Sequence, residues 1–252
     1  MGETIVFTSG KGGVGKTTTI ANIGAGLSQL DKKVVMLDAD MGLRNLDVVM
    51  GLEDQINYNL LDLLENRCRL HQALIKDKRF PNLFMIPASL KNIPLDKYET
   101  AFTVLINHLK KEFDYCLIDC PAGIDQGFRF ATSVADRAII LTTPNISAIK
   151  DASRVLQLLH GARIPRIELI INEYDEKLVR KKYMLSKQDI EDLFDIPVLG
   201  IIPHDTKVMI SQNKGIPVVT MRSKATKKFI CLSEQMITEE NLSGEECSYD
   251  FL

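Results

Sequence analysis

At 252 residues, with 45% hydrophobic and 25% charged residues and a formal charge of −2, the chain can bury roughly 70–75% of its unfolded surface. It carries no global basic footprint for nucleic acid, so no nucleic-acid partner is expected. No apolar stretch approaches the ~18 residues of a spanning helix. The first strand pattern starts too close to Met1 to leave room for a signal peptide, so a cytoplasmic protein is expected.

In chain order, the apolar run Ile5, Val6, Phe7 predicts a first strand. It leads into Gly10-Lys11-Gly12-Gly13-Val14-Gly15-Lys16-Thr17, which fits the phosphate-loop pattern G-x-x-x-x-G-K-[ST]. Glycines let the loop curl so that its amides face phosphate oxygens, and a following helix adds a favourable dipole. Lys16 would reach the β- and γ-phosphates, and Thr17 would hold Mg²⁺ through its hydroxyl. Thr18 continues the nucleotide-contacting edge into the helix marked by Ile20, Ile23, Leu27 and Leu30.

The run 34–37 reads as a strand buried on both faces and ends in Asp38-Ala39-Asp40. Alternation puts both carboxylates on one side, one to orient Mg²⁺-bound water and the other to position the attacking water. A further strand at 83–86 precedes an apolar run that ends at Asp119, the Walker-B arrangement, in which the acid contacts Mg²⁺. The next turn, Cys120-Pro121-Ala122-Gly123, suits either γ-phosphate sensing through a backbone N–H or an ordinary glycine turn. Cys116 and Cys120 read as small buried thiols rather than metal ligands.

Strands at 138–141, 167–171 and 198–202 follow, with a helix carried by Ile146, Ile149, Val155, Leu156 and Leu159 between the first two. Asn172-Glu173-Tyr174-Asp175 is an N-x-x-D that leaves two bases open. It resembles a guanine reader with Glu173 in place of Lys, while a strand-end Asn equally matches the donor–acceptor edge of adenine. A last helix is marked by Ala225, Phe229, Leu232 and Met236, and the basic run Arg222, Lys224, Lys227 and Lys228 suits either an ordinary solvated helix face or, with Phe229 and Leu232, contact with anionic lipid. The four histidines lack triad or metal spacing.

The alternation predicts an α/β fold, a doubly wound and mostly parallel sheet with helices on both faces, of the P-loop NTPase type. One domain is expected over residues 1–237, with an acidic, disordered tail at 238–252. Ligands in such sheets bind beyond the carboxyl ends of the strands, where the glycines and acids fall.

With Lys11 as an extra cation in the loop, the sequence resembles the deviant Walker-A ATPases, whose loop is K-G-G-x-G-K-[ST]. Within them it resembles the MinD branch of cell-division-site ATPases, through 8–17, 38–50, 72–78, 86–89, 119–123, 184–186 and 200–203. The stretches 42–47 and 72–78 are more specific than the phosphate loop itself. The resemblance implies ATP and Mg²⁺ as ligands and an ATP-bound homodimer in which Lys11 crosses to the partner's phosphates. It places Asp40 near the attacking water, Asp38, Thr17 and Asp119 around Mg²⁺, and Asn45 in a switch segment. It also implies that Asn172, Pro203 and Asp205 frame adenine, and that Asp151 lies at the water or the dimer face. Such proteins recruit a MinC-like inhibitor to place the septum, are stimulated in some bacteria by a MinE-like activator, and associate with the inner face of the membrane.

The segment from 237 onward departs from that pattern, with five acids and no Lys or Arg. A lipid-facing helix needs a basic face, so membrane binding through this tail is not expected. The alternatives are flagellar-number control like FlhG, partition like ParA, and a nucleotide-gated scaffold with negligible turnover.

Overall fold

The computed structural model describes residues 1–91 and 93–238. The predicted tail therefore lies outside the described residues, except for Thr238.

Eight strands form one sheet: β1 Glu3–Thr8, β2 Val34–Asp38, β3 Ile75–Lys76, β4 Leu83–Ile86, β5 Tyr115–Asp119, β6 Arg137–Thr142, β7 Arg166–Tyr174 and β8 Val198–Pro203. Their spatial order is β3-β4-β2-β5-β1-β6-β7-β8. Every pairing is parallel except β3 with β4. The central strands are buried along almost their whole length, which requires helices on both faces, since an uncovered face would leave those apolar side chains in water.

The helices are α1 Lys16–Gln29, α2 Leu46–Met50, α3 Leu60–Leu64, α4 Leu70–Ala73, α5 Glu99–Glu112, α6 Gln126–Thr132, α7 Ile146–Gly161, α8 Glu176–Arg180, α9 Lys187–Glu191, α10 Thr206–Gln212 and α11 Lys224–Ile237. Alternation along the strands builds two cores. Val6, Val35, Leu37, Ile118 and Ile140 pack with Phe102, Ile106, Val155 and Leu159 of α5 and α7. Ile5, Phe7, Met36, Leu117 and Ile139 pack with Ile20, Ile23, Phe229 and Leu232 of α1 and α11. Each such side chain contributes about 1.5–3 kcal/mol when fully buried.

The α1–α11 contact is close: a methyl group added at Gly26 would lie 2.4 Å from the Ser233 hydroxyl. α11 buries Ala225, Phe229, Leu232 and Met236, while Lys224, Lys227 and Lys228 face solvent, as an amphipathic helix on a core should. Among the described residues no helix is long and apolar enough to cross a membrane.

Candidate nucleotide site

β1 sits at the centre of the sheet, between β5 and β6. The loop leaving it must therefore turn within a few residues into α1 while passing the ends of both neighbours. Gly13 and Gly15 take φ values of +77° and +94°, and Gly15 forms the N-cap of α1 in the left-handed region, where a β-carbon is costly. The loop is pinned from outside as well. Asn172 at the end of β7 donates from Nδ2 to the Val14 carbonyl at 2.8 Å, and a β-carbon on Gly15 would lie 2.3 Å from that same nitrogen. At the loop's entrance, Gly10 lies against the backbone of Asp151 in α7, with 2.4 Å between an added β-carbon and the Asp151 carbonyl oxygen. Gly12 and Lys11 are exposed, and the Lys11 carbonyl accepts the Ser9 hydroxyl at 2.8 Å.

Parallel pairing sets Asp38 beside Asp119 in register at the carboxyl ends of β2 and β5. Asp119 is buried and accepts from the Thr17 hydroxyl. Burial, with Asp38 as a like charge, pushes its pKa up to about 7 against the pull of Lys16 and Thr17. Its Oδ1 is buried without a hydrogen-bond partner in the described structure. An orphaned carboxylate oxygen beside a phosphate-loop threonine fits a divalent cation carried in with nucleotide phosphates. No group of three or more His, Cys, Asp or Glu among the described residues forms a ready-made cage.

Asp38 does something the sequence did not signal. Its Oδ1 accepts the Asp40 amide at 2.9 Å, and its Oδ2 accepts the Asn45 and Leu46 amides at 3.0 and 3.2 Å. Burial still raises its pKa to about 6, only partly opposed by those amides. With both oxygens accepting backbone amides, Asp38 anchors the segment 40–46 while standing beside Asp119 at the strand ends. Asp40 is half-buried, and burial raises its pKa against the pull of Lys16. Asn45 caps α2 by position, without a side-chain cap bond, and is held by its own amide.

The remaining expected residues divide. Gly123 takes φ +94°, but its amide donates to the Ser9 carbonyl at 3.2 Å. It braces the phosphate loop here, so in this state it is not an amide free for phosphate. Thr18 is buried, and its hydroxyl accepts from Nε2 of Gln212 in α10. Asn172, Pro203 and Asp205 do fall together at the ends of β7 and β8, where Tyr174 pairs with Pro203. Asp205 is the N-cap of α10, with Oδ1 accepting the Lys207 amide at 3.0 Å and Oδ2 the Ala225 amide at 3.2 Å. Asp175, the acid of the N-x-x-D, spends Oδ1 on the Lys177 and Leu178 amides at 2.7 and 3.3 Å. Glu173, in the left-handed region at φ +58°, turns its carboxylate to Nδ1 of His204. Burial pushes the Cys116 and Cys120 thiols up to about 12, so both are inert.

A phosphate loop on the central strand, a loop lysine close to Asp40 and Asp119, and Asn172, Pro203 and Asp205 together at the next strand ends define a P-loop nucleotide-binding protein of the doubly wound type. A family model described as an AAA domain matches residues 2–179. The septum site-determining protein MinD of Synechocystis is 50% identical over 219 residues, 87% of this chain and 82% of its own length. The MinC:MinD cell division protein complex of Aquifex aeolicus matches with a TM-score of 0.87 at 40% identity, covering 97% of this chain and 98% of that one. MinD of Pyrococcus horikoshii complexed with Mg-ADP matches at 0.84 and 30% identity, covering 96% and 98%. The chain belongs to the MinD family of septum site-determining P-loop ATPases.

Proposed function

We propose that this protein is a Mg²⁺-dependent ATPase that dimerises on ATP and places the division septum by recruiting a MinC-like partner. The observation that carries the reading is the division of labour between the two loop lysines. Lys16 lies within its own site, close enough to Asp40 and Asp119 to oppose the rise in both their pKa values. Lys11 is exposed, so its charge is available to a nucleotide held by a second copy.

In this mechanism the loop amides and Lys16 bind the phosphates, and Mg²⁺, which Thr17, Asp38 and Asp119 would hold directly or through water, would supply charge neutralisation. Asp40 orients the attacking water, and burial raises its pKa, the direction that helps a carboxylate accept a proton. Lys11 of the partner adds the last positive charge, as an arginine finger does elsewhere. On this reading Asp151, beside Gly10, would contact the water or the dimer face, and Asn45, whose amide donates to Asp38, would belong to the switch segment. Asn172, Pro203 and Asp205 frame the base. Adenine is favoured because the amide of a strand-end Asn matches its donor–acceptor edge and because the chain belongs to a family of ATPases. The partnership with MinC follows the relatives, and a MinE-like activator is the natural stimulus for turnover.

The test is Lys11→Ala. Phosphate release should fall to background while the monomer still binds ATP with its original affinity. Equal loss of monomer affinity would show that Lys11 serves its own subunit. Absence of phosphate release from the unaltered protein, with partner proteins and liposomes present, would favour a nucleotide-gated scaffold.

A further inference from the structure

The stretch 72–78 is the part of the sequence signature that the nucleotide site leaves unexplained. It forms the edge strand β3 and ends beside a cluster centred on Arg79. Asp77 is buried and takes the guanidinium in a fork, Nε to Oδ1 at 2.9 Å and Nη2 to Oδ2 at 2.6 Å. The outer edge of the guanidinium donates to two backbone carbonyls, Nη1 to Gly215 at 2.8 Å and Nη2 to Met50.

Met50 is the last residue of α2, and Gly215 follows α10. Their segments touch. Gly51 and Gly215 both adopt positive φ, +61° and +60°, and a β-carbon on either would lie 2.6–2.7 Å from the other's backbone. At its other end α2 hangs from Asp38 through the Asn45 and Leu46 amides. A five-residue helix, about 7–8 Å long at 1.5 Å per residue, thus runs between a carboxylate at the nucleotide site and the Arg79 fork.

We propose that Arg79, oriented by Asp77, is a positioning residue for hydrolysis, holding the far end of α2 so that Asp38 and the segment carrying Asp40 keep one geometry. The role rests on the ATPase reading above. It belongs to arginine because four contacts in one plane require the fork, and a lysine ammonium can keep the charge but not the geometry. Release of α2 would let Asp40 drift relative to the phosphate loop, whose own pins at Asn172, Gly123 and Asp151 do not pass through Arg79.

The test uses the full chain as wild type, Arg79→Ala, Arg79→Lys and Asp77→Asn, with phosphate release from ATP and amide hydrogen exchange as parallel readouts. Arg79→Ala should lower kcat about ten- to hundredfold, as a displacement near 1 Å would, with KM unchanged. Arg79→Lys should recover only part of the loss, and Asp77→Asn should fall between. In exchange, amides at 40–50 should lose protection while those at 10–18 keep it. Unchanged kcat, or lost protection confined to 77–80 and 213–216, would overturn the proposal. If wild type releases no phosphate, the ATPase reading fails, while exchange at 40–50 still decides whether the clamp exists. If Arg79→Ala does not fold, the other two variants carry the same comparison.

Discussion

Gly15→Ala tests how the phosphate loop is held. The new methyl carbon would stand 2.3 Å from Asn172 Nδ2, far inside contact distance, on a backbone with φ +94°. The left-handed conformation costs a non-glycine residue about 1–2 kcal/mol. Displacing Asn172 forfeits its bond to the Val14 carbonyl, worth about 0.5–1.5 kcal/mol net. The sum is about 1.5–3.5 kcal/mol of stability, or a fall in Tm of roughly 3–14 °C for a chain of this size. Asn172→Ala alone loses the bond and leaves the Val14 carbonyl unpaired, about 1–3 kcal/mol. In the double variant both the collision and the bond are already gone, so only the backbone penalty is added. Urea unfolding of the nucleotide-free protein, with m constant across the set, measures all three. The account expects the double variant to be less destabilised than the sum by about 1 kcal/mol. Additivity within about 0.5 kcal/mol would refute the contact as the cause.

The Glu173–His204 pair should show in the imidazole titration. The side-chain bond to Glu173 and then its charge raise the His204 pKa above its ordinary 6.5. Because the folded value is the higher one, the pair's contribution is complete below pH 6.5 and is lost as pH rises through the folded pKa. NMR titration should find His204 raised in wild type and near its ordinary value in Glu173→Gln; identical curves would exclude the pair. Asp205 shifts the other way. Burial would raise it, but the amides of Lys207 and Ala225, the Ser223 hydroxyl and the Lys224 amide together hold it below 3.8. Its contribution is therefore present above pH 3.8 and is lost as pH falls through the folded value. Asp205→Ala, which removes the α10 cap, should cost about 1 kcal/mol near neutral pH, and Asp205→Asn should cost less; equal losses in thermal melts would contradict the cap assignment.

Much of the fold was legible because its strands are buried on both faces. Runs such as 34–37 and 138–141 have to be continuous and apolar, and each ends where a polar or acidic residue meets the ligand edge. β3 escaped notice because two residues, Ile75 and Lys76, cannot display a period. The short helices α2, α8 and α9 were equally hidden, since five residues hold little more than one turn. At the site, position was readable and partnership was not. Asp38 and Asp119 stand at strand ends as the pattern required, yet whether such an acid faces a cation or backbone amides depends on how the chain returns. The segment 40–46 folds back over Asp38, and nothing in Asp-Ala-Asp encodes that return. Arg79 carries no signal in the sequence, because its acceptors at Met50 and Gly215 are carbonyls, which have no residue signature.

These contacts describe a phosphate loop braced on three sides, by Asn172, Gly123 and Asp151, facing a segment that hangs from Asp38. On the proposed reading, the exposed Lys11 would reach the nucleotide held by a second subunit.

Molar mass by light scattering, with the same protein in Mg²⁺ plus ADP and in Mg²⁺ plus a slowly hydrolysed ATP analogue, tests this directly. The account predicts a monomer with ADP, a dimer with the analogue, and a monomer in both for Lys11→Ala. The same mass in both nucleotides for the unaltered chain would contradict it.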